Sequence, residues 1–146
     1  MLTAIDTNIL SDVFRRDPQH YEQSAATLRL ALDQGAVIAC EVVWAEISAA
    51  FASSTDAENA MNQLRIDYGA LDLPSCLGCG DAWRRYRKAG GSRSRLIADF
   101  MIASHAIQAA DRLLTRDRGF YRTYFPDLVL MDPGAEPTDP GRQEFE

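Results

Sequence analysis

Short apolar clusters alternate with longer amphipathic stretches along the whole chain. LTAI (2–5) is a run of four β-compatible residues and predicts a strand. NILSDVFRR reads as a short helix, stopped at Asp17-Pro18. A second helix is predicted over 18–33, with proline in its first turn and Gly35 just past its end. AVIAC (36–40) is the next buried strand. Helices follow over 41–53 and 56–68, the latter closed by Gly69, and ALDL (70–73) before Pro74 reads as a third strand. A helix over 76–89 stops at Gly90-Gly91. The helix predicted over 94–110 is apolar nearly all round, which marks a buried helix. RLLT (112–115) is a strand, GFYRTYF (119–125) a helix of one to two turns, and LVLM (128–131) a last strand.

Strands that alternate with helices pair in parallel through helical crossovers, so the pattern predicts an α/β sandwich. One domain is expected over 1–132. The stretch PGAEPTDPGRQEFE holds three of the six prolines and no periodicity, so 133–146 is expected to be an extended or disordered tail.

Composition narrows the class. With 47% apolar and 25% charged residues in 146, the chain reads as an ordinary globular protein with a real core. No apolar run approaches a membrane span and no signal-peptide pattern opens the chain, so a cytoplasmic protein without a membrane partner is expected. Cys76 and Cys79 in CLGC have zinc-ribbon spacing. No second such pair exists, and His20 and His105 are distant, so small helix residues are favoured over zinc. The net charge of −6 argues against a sequence-tolerant nucleic-acid binder, but the segment WRRYRKAGGSRSR gathers Arg84, Arg85, Arg87, Lys88, Arg93 and Arg95 without one acid. It is either a solvated helix end or a phosphate-binding patch.

Four carboxylates stand in uncomfortable places. Asp6 follows the first strand, at the edge where parallel sheets bind ligands, although it could equally cap the next helix. Glu46 has Val42, Val43, Ala49 and Ala50 as helical neighbours, so it is either a buried acid needing a partner or an edge residue reaching solvent. Asp99 sits among Leu96, Ile97, Phe100, Met101 and Ile102, where it must be paired, protonated or metal-bound; Arg95 is the competing partner. Asp117 repeats the placing of Asp6, strand end then acid then helix. Crossovers would bring all four to one sheet edge. Clustered carboxylates repel unless a cation neutralises them, and oxygen-only ligands suit Mg²⁺ or Mn²⁺. Such sites carry out phosphoryl chemistry.

IDTNIL, the EI within VVWAEISAA, ADFMIASHAI and LLTRDRGFYRTYFPDL, in that order over about 1–132, resemble the motifs of PIN-domain ribonucleases, most closely the VapC-type toxins of VapBC toxin–antitoxin systems. That resemblance implies a three-layer α/β/α sandwich with a parallel sheet of four to five strands. It implies a Mg²⁺- or Mn²⁺-dependent endoribonuclease that cleaves RNA to leave a 5′-phosphate. Asp6, Glu46, Asp99 and Asp117 fall on the family's acidic quartet, with Asp6 and Asp99 the firmest metal ligands. Asn8 and Thr115 fall on supporting polar positions. A homodimer and a small VapB-like antitoxin partner are also implied. The basic segment and the tail are not family motifs; Arg93 and Arg95, just before Asp99, are assigned to flanking phosphates of the RNA.

Other chemistries fit less well. Haloacid-dehalogenase-like phosphatases need Asp-x-Asp, and Asn8 stands at the second place. Those enzymes and receiver domains need a site lysine, and Lys88 is the sole lysine. No P-loop and no dinucleotide fingerprint exists. The alternative is a non-catalytic RNA- or partner-binding module with a degenerate site, which retention of all four acids disfavours.

Overall fold

The structure is a computed structural model that describes residues 1–92 and 97–134. Arg93, Arg95 and the tail from 135 onward lie outside the described residues, as does the predicted start of the 94–110 helix. In chain order the elements are β1 (Leu2–Ile5), α1 (Thr7–Arg15), α2 (Tyr21–Gln34), β2 (Ala36–Ala39), α3 (Glu41–Ala49) and α4 (Ser54–Gln63). They continue with β3 (Ile66–Tyr68), α5 (Leu73–Lys88), α6 (Ile97–Ala109), β4 (Arg112–Leu114), α7 (Arg118–Tyr124) and β5 (Leu130–Met131).

Every strand pair is parallel, and the sheet order is β3-β2-β1-β4-β5. Helices cover both faces, giving the three-layer α/β/α sandwich expected from the alternation. β1 is central: Thr3 registers with Val37 on one side and with Arg112 on the other. The chain leaves β1 toward β2 and returns to β1's other side as β4. That reversal opens a crevice beyond the carboxyl ends of β1 and β4, where such sheets bind ligands.

Packing fixes the helices over that crevice. Phe100, fully buried on α6, meets Trp83 at 5.1 Å and Tyr86 at 5.2 Å from α5, and Phe120 at 5.3 Å from α7. Each such aromatic pair contributes about 0.5–1.5 kcal/mol beyond its buried area. The Ser104 hydroxyl, also buried, donates to the Ser75 carbonyl at 2.6 Å and ties α6 to α5. The residue beside Phe100 is Asp99, so the aromatic cluster sets its position.

Several boundaries differ from expectation for local reasons. The third strand is 66–68, not 70–73. α4 ends at Gln63, Arg65 takes a left-handed φ of 59°, and Ile66 starts the strand as a buried residue. Residues 70–72 form a connection instead: Leu71 N–H donates to Glu41 at 2.7 Å, and Asp72 caps α5 through Ser75 N–H at 2.8 Å. α2 begins at Tyr21 rather than 18, because Asp17 accepts the N–H groups of Gln19 and His20, both at 2.9 Å, and holds that stretch as a turn. α3 stops at Ala49 instead of 53, and α4 begins at Ser54 with Ser53 as its cap.

Candidate metal centre

Asp6 answers both readings of its position. It is the N-cap of α1, its Oδ1 accepting Thr7 N–H at 2.7 Å. Its other oxygen faces the crevice side of β4: Oδ2 accepts the Thr115 hydroxyl at 2.8 Å, the Tyr121 hydroxyl at 2.9 Å and, at 3.4 Å, the Asn8 amide. The residue is 5% exposed. Burial pushes its carboxyl up to about 6 even though these donors favour the ionised form, and the charge of Asp99 adds to the rise.

The remaining acids gather around it with differing exposure. Glu46 accepts the Thr7 hydroxyl at 3.3 Å, and partial desolvation together with Asp99 raises its carboxyl. It is nevertheless exposed, which corrects the buried reading. The neighbouring Ala49 and Ala50 are exposed as well, so apolar identity there does not mean burial. Asp99, in the first turn of α6, is half-buried rather than enclosed. Asp117 occupies the N-cap position of α7, yet its side chain makes no capping hydrogen bond, so capping does not account for it. Tyr121 registers the set: burial raises its phenol far above the ordinary value, and Asp6, Asp99 and Asp117 each add to the shift.

Asn8 and Thr115 both hydrogen-bond to Asp6. Thr115, fully buried, donates to Asp6 and accepts Asp117 N–H at 3.0 Å. Asn8 donates to Thr115 at 3.3 Å and accepts Arg116 N–H at 3.3 Å. Sequence reading missed Tyr121 and an ion pair of Arg116 with Asp12 at 2.7 Å. The only hints were spacings: Tyr121 lies four residues after Asp117, and Asp12 four after Asn8, each on a shared helix face.

The donor chemistry fits a hard divalent cation: oxygen donors only, two of them reluctant to ionise while close to a third charge. The oxygens are not gathered, however. Among the described residues no three His, Cys, Asp or Glu side chains converge closely enough to hold an ion. Asp6 instead turns its crevice-facing oxygen to protein donors.

In α5, which packs against α6, Arg84, Arg85, Arg87 and Lys88 form an exposed last turn, with Arg84 paired to Asp81 at 2.9 Å. Tyr86 anchors that turn, its hydroxyl donating to the Ser92 carbonyl at 2.6 Å. Of the CLGC pair, Cys76 is exposed and Cys79 buried. Among the described residues no helix is long and apolar enough to cross a membrane.

The sequence model of the PIN domain matches residues 3–126. No curated protein matches the sequence. Among solved structures, VapBC2 from Rickettsia felis, bound to a DNA fragment from its promoter, aligns with a TM-score of 0.71 at 20% identity, covering 90% of this chain and 98% of that one. VapBC-1 from nontypeable Haemophilus influenzae aligns at 0.72 and 19%, covering 92% and 100%. DNA-bound VapBC from Salmonella typhimurium aligns at 0.68 and 18%, covering 91% and 99%.

Proposed function

The chain belongs to the PIN domain family, and from that premise we propose that it is a Mg²⁺- or Mn²⁺-dependent endoribonuclease, the VapC-type toxin of a toxin–antitoxin pair. The observation that carries this reading is geometric: Thr115 hydrogen-bonds to Asp6 and to the Asp117 backbone, Tyr121 reaches Asp6 from α7, and Thr7, next to Asp6, reaches Glu46, while Asp99 adds to the raised carboxyls of Asp6 and Glu46. Acids that share a field are relieved by protonation or by a counter-ion, and the proposed ion would supply the second.

Asp6 and Asp99 would hold the ion, with Glu46 and Asp117 beside them. When bound, it would supply positive charge to a phosphate oxygen and lower the pKa of a water. The protein's own contribution is orientation. Thr115, Tyr121 and Asn8 fix the Asp6 carboxylate so that it does not have to be ordered at the moment of reaction. Glu46, exposed at the mouth and with a raised carboxyl, is placed to accept a proton from an attacking water. RNA is the substrate, and Arg93 and Arg95 contact phosphates flanking the scissile one.

Partners follow from the same reading. Three solved structures that share this fold are VapBC assemblies, which supports a small antitoxin that masks the site. A guanidinium from such a partner would match the anionic edge. A homodimer is the expected free form.

The test is cleavage of a mixed RNA pool by the purified chain with Mn²⁺. Cleavage should stop with EDTA and with Asp6→Asn, which preserves volume and removes one charge. Wild-type cleavage by Asp6→Asn would overturn the mechanism. An RNA-binding chain that never cleaves would establish the binding-module alternative.

A further inference from the structure

One ion pair, between the buried Asp12 and the half-buried Arg116, has no part in the chemistry described so far. Asp12 lies on α1 one turn beyond Asn8, so the two side chains leave the same helix face. It is 3% exposed. Its carboxylate takes Arg116 Nε on Oδ2 at 2.7 Å and Arg116 Nη2 on Oδ1 at 2.9 Å, a two-pronged contact. The Ser24 hydroxyl of α2, itself fully buried, adds a third donor to Oδ2 at 2.7 Å.

Arg116 is the middle residue of the turn between β4 and α7. Thr115 on one side reaches Asp6, and Asp117 on the other side is one of the four acids. The Arg116 backbone N–H donates to Asn8 Oδ1 at 3.3 Å. Thus α1 grips this turn at two levels: Asn8 holds its backbone and the Thr115 hydroxyl, and Asp12 holds the arginine head. Ser24 keeps the Asp12 carboxylate from rotating.

Stability alone is a poor explanation for the pair. Taking the Asp12 carboxylate out of water offsets much of its attraction to the half-buried Arg116 head, and an apolar pair of similar volume often stabilises a fold as well or better. An apolar pair cannot impose direction, whereas a guanidinium fork on a carboxylate fixes both distance and plane.

We propose that Arg116, locked by Asp12 and Ser24, is a positioning residue that sets Thr115 and Asp117 against Asp6. The inference rests on the reading of these acids as an ion-binding nuclease site and adds a residue set that acts from outside it.

The decisive variant is the double substitution Asp12→Leu with Arg116→Met, which leaves no unpaired buried charge. Two measurements are made on it and on wild type. The first is amide hydrogen exchange in EDTA. The Arg116 and Asp117 amides should lose protection while those of Leu113 and Leu114 keep theirs. The second is the Mn²⁺ concentration at half-maximal thermal stabilisation, which should rise by about tenfold or more, the usual effect of removing a residue that orients a metal ligand. Arg116→Lys, which keeps the charge and loses the fork, covers the case in which the double variant does not fold and should move both readouts the same way. Unchanged exchange at Arg116 and Asp117 in a folded variant would overturn the proposal, as would an unchanged Mn²⁺ midpoint. A wild type that neither responds to Mn²⁺ nor cleaves RNA would defeat the nuclease reading on its own, while the exchange result would still decide whether the pair holds the turn.

Discussion

Asp6 is a carboxylate that burial and its neighbours pull in opposite directions. Its carboxyl is pushed from the ordinary 3.8 to about 6, chiefly by burial. The folded protein therefore holds this proton more tightly than the unfolded chain does. The resulting stability is fully present below pH 3.8 and is lost as pH rises through 6. In EDTA at pH 8 the ionised group costs up to about 3 kcal/mol. Asp6→Asn should remove that slope, so urea unfolding at pH 4 and pH 8 should show the variant gaining on wild type at the higher pH even though it cleaves nothing. His105 slopes the other way: burial holds its imidazole below 6.5, so its contribution is present above that pH and lost as pH falls. The difference between wild type and Asp6→Asn isolates the aspartate. Asp6 and Asp99 stood out as candidates in the sequence because each breaks a pattern: Asp6 ends an apolar run, and Asp99 interrupts an apolar helix. Tyr121 breaks no pattern. An aromatic residue on a short amphipathic helix looks like core, and it is core; that its hydroxyl also reaches Asp6 depends on a fold closing across 115 residues.

Elements were readable where periodicity and punctuation agreed. β1, β2, α1 and α7 lie within a residue or two of their predicted spans. β3 was displaced because its start is marked by neither glycine nor asparagine. Arg65 supplies the left-handed turn after α4, at a φ of 59°. A side chain in that region is strained, and glycine there relieves the strain at some entropic cost. Arg65→Gly should therefore stabilise the protein by about 1 kcal/mol or less, read as a shifted urea midpoint with an unchanged slope. A destabilised variant would mean that the arginine side chain contributes more than its backbone costs. The early stop of α3 has a related cause. Its final alanines favour helix but bury nothing, so the pattern offered no reason to stop and the tertiary structure did.

Taken whole, the molecule is an acidic body with a net charge of −6, which under the proposed function must attract an anionic polymer. Two expectations follow from that balance. Under the proposed function Mn²⁺ at millimolar concentration should raise the melting temperature by mass action, because it would bind only where the acids are assembled. Asp99→Asn should melt higher than wild type in EDTA and respond less to Mn²⁺; a wild-type melting curve indifferent to the ion would count heavily against the site. RNA binding should depend steeply on salt despite the overall charge. Replacing Arg93 and Arg95 together with alanine should flatten the slope of log affinity against log salt by about 0.7 for each phosphate left without its arginine. An unchanged slope in a folded variant would assign both arginines to solvent.

The strand order has a consequence for synthesis. β1 is the centre of the sheet, and Thr3 pairs with Arg112 across 109 positions of chain. A ribosome releases Asp6 early, but Thr115 and Tyr121, which hold its carboxylate, are translated more than a hundred codons later. Closing so long a loop is slow and brings no reward until it is complete. For most of its translation the nascent chain therefore carries an aspartate with no site around it, and the centre forms in one late step, when the segment from β4 through α7 docks beside β1. Under the proposed function, that delay would give the cell an interval, built into the topology, before the chain can cleave RNA.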